Sequence, residues 1–407
     1  MYVQEIQMPT ALLEPSVIKA ILLVGFAAVV AALAWRLARS RRRARLREDP
    51  ANDYAVRRDW SGNHGKLNHS SFVYFDADRD GRYGLGDRPM AGIMVRLHDG
   101  DGRFVAAARS NRGGFANFLA STKRRAALIH VPGSYRFTVS VPPGWCSSSA
   151  NEVQSQHLRP LPGSPTGLAS EAMLQPVGLF AIRRLSGRVA DGASASISVM
   201  AKGQEVAVHP LSAGAGFRLD LPDDADAIEV TGDGMERRLA LSAYPTELGL
   251  LSPENAAVDS AASLQAIGFD DVTTRGLRKV PSGYAGLTWF NLNALARDHT
   301  EGSEGYVNGN ISGDHVCYTS SGHPAEFSSD KPFGFHSVML TAAWLKSEGE
   351  TALVESWLGD RLIASDTIVL SALAPVHYAP MLAAVTRVRL STSHYWQLVL
   401  DDLVVVR

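Results

Sequence analysis

The stretch Asp76-Ala-Asp78-Arg-Asp80-Gly81-Arg82-Tyr-Gly-Leu-Gly-Asp87 sets carboxylates at positions 1, 3, 5 and 12 of a twelve-residue loop, with glycine at position 6. Alternate short acids can converge on one hard cation, and the glycine permits the sharp turn that gathers them. The carbonyl of Arg82 then falls where a backbone ligand is needed. Asp76, Asp78, Asp80, Arg82 and Asp87 are therefore the predicted ligands of a structural Ca²⁺. Asp87 stands where a longer glutamate is usual, and its shorter reach disfavours bidentate binding and tight affinity. The rival reading is an Asp/Gly-rich turn whose side chains cap their own backbone and bind nothing.

The elements that must hold such a loop are strands. Phe72-Val-Tyr-Phe75 precedes it and Met90-Ala-Gly-Ile-Met-Val-Arg-Leu97 follows, and neither run has the apolar spacing of a helix. Beyond them come Ser110-Asn-Arg-Gly113-Gly114-Phe115-Ala-Asn-Phe118, then Val131-Pro-Gly133-Ser-Tyr135-Arg-Phe-Thr-Val139, then Pro142-Pro-Gly144-Trp145. This order resembles the SdrD B-like and collagen-adhesin B-type repeats of bacterial surface proteins. The resemblance covers residues 70–182, with Pro176-Val-Gly-Leu-Phe-Ala-Ile182 as closing strand. It implies a prealbumin-like sandwich that opens on a calcium loop. Two departures stand out: Ser121 to His130 reads as an insertion, and Ser147 to Gln175 is a longer, Ser/Pro-rich approach to the last strand.

Further on, Leu185-Ser-Gly-Arg-Val189, Ala195–Met200, Gln204–Val208, Gly216–Leu221, Ala227–Thr231 and Arg237–Leu241 are short runs that alternate apolar with polar residues between Gly, Asp or Pro. Such runs predict half-buried antiparallel strands, hence a second small sandwich over 183–245. It is similar to carboxypeptidase-regulatory-like or prealbumin-like modules. Residues 242–262 read as a linker or capping segment. The last part, 264–407, opens with Ile267-Gly-Phe-Asp270-Asp271, carries Gly283-Tyr-Ala-Gly286-Leu-Thr-Trp289, and closes with Leu398-Val-Leu-Asp401-Asp402. It resembles a jelly-roll domain of secreted and envelope proteins, with a fold like that of galactose-binding and carbohydrate-binding modules. First and last strands of a jelly-roll lie side by side, so the mirrored acidic pairs, Asp271 and Asp401 in particular, are candidates to share a second Ca²⁺; the alternative is that one member of each pair faces solvent and the other caps a strand end. Tyr378 and Trp396, near loops or strand ends, are the candidate sugar platform. Trp289 and Trp344 sit in apolar runs and are expected in the core.

The 407 residues, 45% hydrophobic and 20% charged, suffice for several cores. A net charge of −1 hides an uneven distribution: seven arginines crowd Arg36 to Arg47, while residues 50–407 hold 37 acids against 32 bases. Nucleic acid is thus excluded as a partner of the body of the chain. The arginines follow sixteen apolar residues, Ala20 to Trp35, which Val17, Ile18, Leu37 and a snorkelling Lys19 extend to a membrane span. Residues 1–48 are therefore predicted to be a transmembrane helix with a basic segment. The alternatives are a cleavable signal ending at Ala32-Leu-Ala34, disfavoured by the missing cationic n-region, and a buried helix, disfavoured by the arginine flank. That flank favours a cytoplasmic C-terminal part, whereas the calcium-module resemblance implies an envelope setting; the latter is the reading adopted. Cys146 and Cys317 have no partner motif and are expected to be separate thiols.

No nucleophile elbow, zinc-protease helix, phosphate loop or dinucleotide fingerprint occurs. The sequence thus predicts an all-β multidomain protein with one N-terminal transmembrane helix, prealbumin-like β-sandwiches and a jelly-roll. It is read as non-catalytic and as presenting a binding surface to carbohydrate or another envelope protein. The alternative role is a structural spacer or protein-interaction scaffold.

Overall fold

A computed structural model describes residues 67–120, 128–160, 168–170, 172–253, 263–299 and 304–407. The predicted anchor, residues 1–48, lies outside the described residues, as does most of the 121–130 insertion. Among the described residues no helix is long and apolar enough to cross a membrane. Strands dominate, as the alternating runs require.

Ten strands come first: β1 (Leu67–Phe75), β2 (Arg88–Pro89), β3 (Met94–Asp99), β4 (Phe104–Arg109), β5 (Phe115–Ala120), β6 (Gly133–Val139), β7 (Trp145–Ser147), β8 (Val153–Pro160), β9 (Leu168–Ala169) and β10 (Val177–Ala181). One sheet runs β2-β1-β10-β7 with β5 added to β1, and the other runs β4-β3-β6-β8-β9. The predicted closing strand is β10, which lies parallel to β1 with Val73 opposite Val177. Val73, Val95, Leu97, Phe118, Phe137 and Leu179 fill the space between the sheets. Part of the segment expected as a Ser/Pro-rich approach is ordered strand, since β8 pairs with β6 over six residue pairs from Gly133↔Leu158 to Thr138↔Val153.

Seven strands follow: β11 (Arg184–Val189), β12 (Ala195–Ala201), β13 (Gln204–Leu211), β14 (Gly216–Asp220), β15 (Ala227–Gly232), β16 (Met235–Ala240) and β17 (Thr246–Leu251). In β12 every second residue is buried, from Ala195 through Ile197 and Val199 to Ala201, which is the pattern its sequence predicts. A four-stranded sheet runs β13-β12-β15-β16. The segment expected as linker instead contains β17, which is parallel to β11 on one side.

The final part holds β18 (Leu264–Ile267), β19 (Leu277–Lys279), β20 (Thr288–Phe290), β21 (Leu292–Ala296), the short helix α1 (Glu304–Asn308), β22 (His315–Thr319), β23 (Ala325–Ala342), β24 (Thr351–Leu358), β25 (Arg361–Val369), β26 (Val376–Tyr378), β27 (Leu382–Thr392) and β28 (Leu398–Val406). First and last strands are neighbours as expected, with Leu264 opposite Val406. The eighteen-residue β23 pairs with β27 through its first half and with β26 and β28 through its second. On its other side β17 is parallel to β26, so β11 and β14 continue the sheet of the last part. All described residues belong to one compact unit, Pro50–Arg407.

Candidate functional site

The acidic loop leaves β1 and returns through β2 and β3, so strands flank it on both sides. Asp76 is fully buried at the end of β1, where an isolated carboxylate would be costly. Two backbone donors offset that cost: Arg79 N–H reaches Asp76 Oδ1 at 2.7 Å and Gly81 N–H reaches Oδ2 at 2.8 Å. Gly81 has φ 77°, and a Cβ there would lie 2.9 Å from the Ser148 carbonyl oxygen, so this turn demands glycine. Asp87 closes the loop by accepting from Ala77 N–H at 2.9 Å and Gly84 N–H at 2.7 Å. Asp80 accepts from Arg82 N–H at 2.7 Å.

Asp76, Asp78 and Asp80 each bring a carboxylate oxygen within 4.8 Å of the others. The nearest cation in sequence does not neutralise them. Arg79 turns away to pair with Asp223 and covers the Phe180 ring at 4.4 Å. The electrostatic consequence appears on two neighbours. The Asp78 carboxyl accepts the Asp80 N–H, which pulls its pKa down, yet desolvation and the adjacent Asp76 and Asp80 hold it above the ordinary carboxylate value. The Tyr74 phenol is pushed up by burial and then by Asp76, Asp87, Asp80 and Asp78. All four acids thus project negative potential onto one spot. Backbone donors take only part of each carboxylate's four acceptor positions, and the remainder suits a hard cation.

The second predicted acid group is arranged differently. Asp401 is fully buried and accepts Ile311 N–H at 2.7 Å, Ser312 N–H at 3.1 Å and Asp402 N–H at 2.8 Å. Asp271 instead accepts the Tyr284 hydroxyl at 2.5 Å. Asp270 takes Asp314 N–H at 2.7 Å, and Asp402 takes the Ser312 hydroxyl at 2.6 Å. These carboxylates clamp the 311–315 loop and a tyrosine to the sheet, with Asp271 and Asp401 each accepting from a different set of protein donors. Among the described residues, the one group of three or more acids close enough to hold an ion is Asp76, Asp78 and Asp80.

The sugar platform needs a larger correction. Tyr378 is wholly buried and donates its hydroxyl to Asp366 Oδ2 at 2.7 Å, so it presents no face to solvent. Its position near a strand end misled because β26 is flanked by β17 and β23. Trp396 is 36% exposed and packs at 5.8 Å against Trp344. Trp289 is buried as expected, whereas Trp344 is only partly buried. Cys146 and Cys317 are both free thiols.

Sequence reasoning missed the junction beside the acidic loop. Arg88, directly after Asp87, donates to the Asn310 carbonyl and to the Tyr244 hydroxyl. Tyr244 in turn stacks on Phe75 at 5.0 Å. His377 lines the same cavity, of about 510 Å³, and its Nδ1 is buried without a hydrogen-bond partner. Burial, with a smaller contribution from His336, lowers its pKa to about 4. No local pattern announces these contacts, because the partners lie 156 or more residues apart.

Compared with models of known protein families and with curated proteins, the sequence matches none. Solved structures that resemble it include pilin and adhesin β-sandwich domains. The shaft pilin SpaA of Lactobacillus rhamnosus GG, in a double-mutant form, is 11% identical over 46% of this chain and 98% of that one, with a TM-score of 0.22. The K2 cleaved adhesin domain of Lys-gingipain is 11% identical over 36% of this chain and 99% of that one, at 0.25. The Bacillus anthracis TIE protein is 10% identical over 46% of this chain and 34% of that one, at 0.19. Scores this low carry no argument about function.

Proposed function

We propose that this protein is a non-catalytic, membrane-anchored cell-envelope protein whose β-sandwich modules present a binding or adhesive surface, stiffened by Ca²⁺ in the 76–87 loop. In this reading residues 1–48 form the anchor, 70–182 a prealbumin-like module, 183–245 a second small sandwich and 264–407 a jelly-roll, with the modules outside the cytoplasm. One observation supports the ion above all others: three carboxylates stand within 4.8 Å of each other while Arg79 is committed elsewhere. Asp76, Asp78, Asp80 and Asp87 would supply side-chain oxygens and Arg82 its carbonyl. Their mutual repulsion makes the loop the part of the sandwich with most to gain from a divalent ion.

Calorimetric titration of the full chain with CaCl₂ tests this. The expected result is saturable binding with a Kd of about 10⁻⁴ to 10⁻³ M, as in extracellular calcium modules. Saturation to about a hundred times Kd would then add about 2.7 kcal/mol of stability, read as a rise in Tm that EGTA reverses. Asp78→Asn, on the exposed side of the loop, should abolish the heat while leaving the calcium-free Tm unchanged or higher. Absence of both heat and Tm shift defeats the calcium assignment. For the anchor, full-length chain should sediment with membranes through an alkaline wash and a chain lacking residues 1–48 should not.

A second role, a spacer or scaffold for a partner protein, is favoured by the burial of Tyr378, which removes half of the expected sugar platform. Trp396→Ala separates the two: loss of binding across a glycan array supports recognition, and silence of the unmodified chain across the array supports the spacer.

A further inference from the structure

The sheet of β4, β3, β6 and β8 in the first sandwich turns one face to the core and the other outward. Side chains alternate between the two faces, so Leu97, Phe137 and Leu158 are buried while Arg96, Arg136 and His157 are exposed. No Asp or Glu occupies an outward position of these four strands. The acids at the end of β3 are taken up by the β3–β4 turn. Asp99 accepts Asp101 N–H at 3.0 Å and Arg103 N–H at 2.9 Å, and Asp101 pairs with Arg103 at 3.7 Å. Glu152, just before β8, lies opposite the buried Val139 and so falls in the inward register.

Register arranges the bases of the outward face in a single file. Arg109 on β4 is opposite Met94, two residues from Arg96 on β3. Arg96 is opposite Thr138, two residues from Arg136 on β6. Arg136 is opposite Ser155, two residues from His157 on β8. Each step is a diagonal of an antiparallel pair, about 7–8 Å, so the file crosses the four strands over roughly 20–25 Å.

The two central cations are uncommitted: among the described residues neither Arg96 nor Arg136 has an ion-pair or hydrogen-bond partner. Arg109 gives one N–H to the Gly92 carbonyl at 2.7 Å. A guanidinium presents parallel N–H groups that match a carboxylate, and a row of them matches charges repeated along a chain better than a single ion. The rest of the face suits a hydroxylated chain. Thr138 and Ser155, the residues opposite Arg96 and Arg136, offer hydroxyls, and Phe104 at the end of β4 is 62% exposed, with a ring face open to the C–H side of a sugar.

We propose that this outward face binds a linear acidic polysaccharide, with Arg96 and Arg136 holding successive carboxylates and Arg109 and His157 extending the track at its ends. The charge of the face is what selects the partner, because it opposes the acid excess of residues 50–407. The track is separate from the acidic loop and from Trp396, and it stands or falls independently of the calcium reading.

Phenylglyoxal labelling of the full chain in EGTA, read residue by residue by mass spectrometry, tests the assignment without interference from the arginines of residues 36–47. Polygalacturonate at ten times its Kd should slow labelling of Arg96 and Arg136 about tenfold. Arg361, exposed on β25, should label at an unchanged rate. Fully methyl-esterified polygalacturonate, which keeps the hydroxyls and loses the charge, should protect neither residue, and monomeric galacturonate at the same carboxylate concentration should protect at least about fivefold less, since it cannot span the file. Arg96→Gln should remove most of the protection at Arg136 while leaving Tm unchanged, a combination that a general loss of structure would not produce. The proposal is overturned if polygalacturonate leaves Arg96 and Arg136 unprotected, if the methyl ester protects them equally, or if Arg96→Gln leaves protection at Arg136 intact. It is also overturned if a single-stranded oligonucleotide or anionic lipid vesicles protect the two residues more strongly, which would give the face to nucleic acid or membrane.

Discussion

Asp76 and Asp401 are both fully buried carboxylates that accept backbone N–H groups, yet the partners of only one were legible in the sequence. The partners of Asp76 lie three and five positions ahead, so spacing alone encodes the loop. Those of Asp401 include amides 89 and 90 positions back, so the loop that this residue clamps is not visible from the Asp-Asp pair itself. Tyr378 failed in the same way, because its partner Asp366 sits on a strand whose position the sequence does not reveal. His377 offers a residue-scale prediction. Its folded pKa, about 4, lies below the ordinary histidine value of 6.5, so the fold prefers the neutral ring. The stability this provides is complete above about pH 6.5 and is lost as pH falls toward 4, by about 3 kcal/mol in total. Glu247 and Asp366, both raised by burial, act in the other sense and lose their contribution as pH rises through their folded pKa. Urea denaturation between pH 4 and 7 should therefore show a smaller fall for His377→Gln than for the unmodified chain. An equal fall in both would remove His377 as the cause.

At the scale of elements, alternation made most strands visible. β12 and β16 each bury every second residue and were expected close to their observed bounds. β17 was not. Thr246-Glu-Leu-Gly-Leu-Leu251 breaks alternation because it lies inside a sheet with parallel neighbours on both sides, where both faces are buried and a glycine interrupts the run. Gly249 marks the irregularity: the register against β11 shifts between Ser186 and Arg188, and Gly249 has φ 65°. A Cβ at that position would collide with the Asp366 carboxylate. Gly249→Ala should consequently destabilise the chain by about 2–4 kcal/mol, more than the usual positive-φ penalty, since strain and a side-chain clash add. Thermal or urea unfolding checks the figure, and a loss below about 1 kcal/mol would show that β17 is not a fixed seam.

Taken whole, the molecule is less divisible than its sequence suggests. Composition shifts and Ser/Pro-rich stretches point to a string of separate modules, but apolar contact ignores those boundaries. Tyr244, Met339 and Ala374 pack into the core of the first sandwich, while Ala379 and Met381 pack into that of the second. Each large side chain buried this way is worth roughly 1.5–3 kcal/mol relative to exposure, so separating the parts would forfeit several such terms. β17 adds backbone pairing to the apolar contacts, joining β11 to β26 within one sheet. Neither β11 nor β26 can keep its neighbour if the other part unfolds. The seam therefore predicts that residues 184–406 unfold as one cooperative unit, not as two domains on a tether. Differential scanning calorimetry of the chain should give, for this region, a calorimetric enthalpy equal to the van't Hoff value, and Gly249→Ala should shift the whole transition downward. Two resolved transitions, with the substitution moving only one of them, would mean that the strand at the seam docks without coupling the sheets it touches.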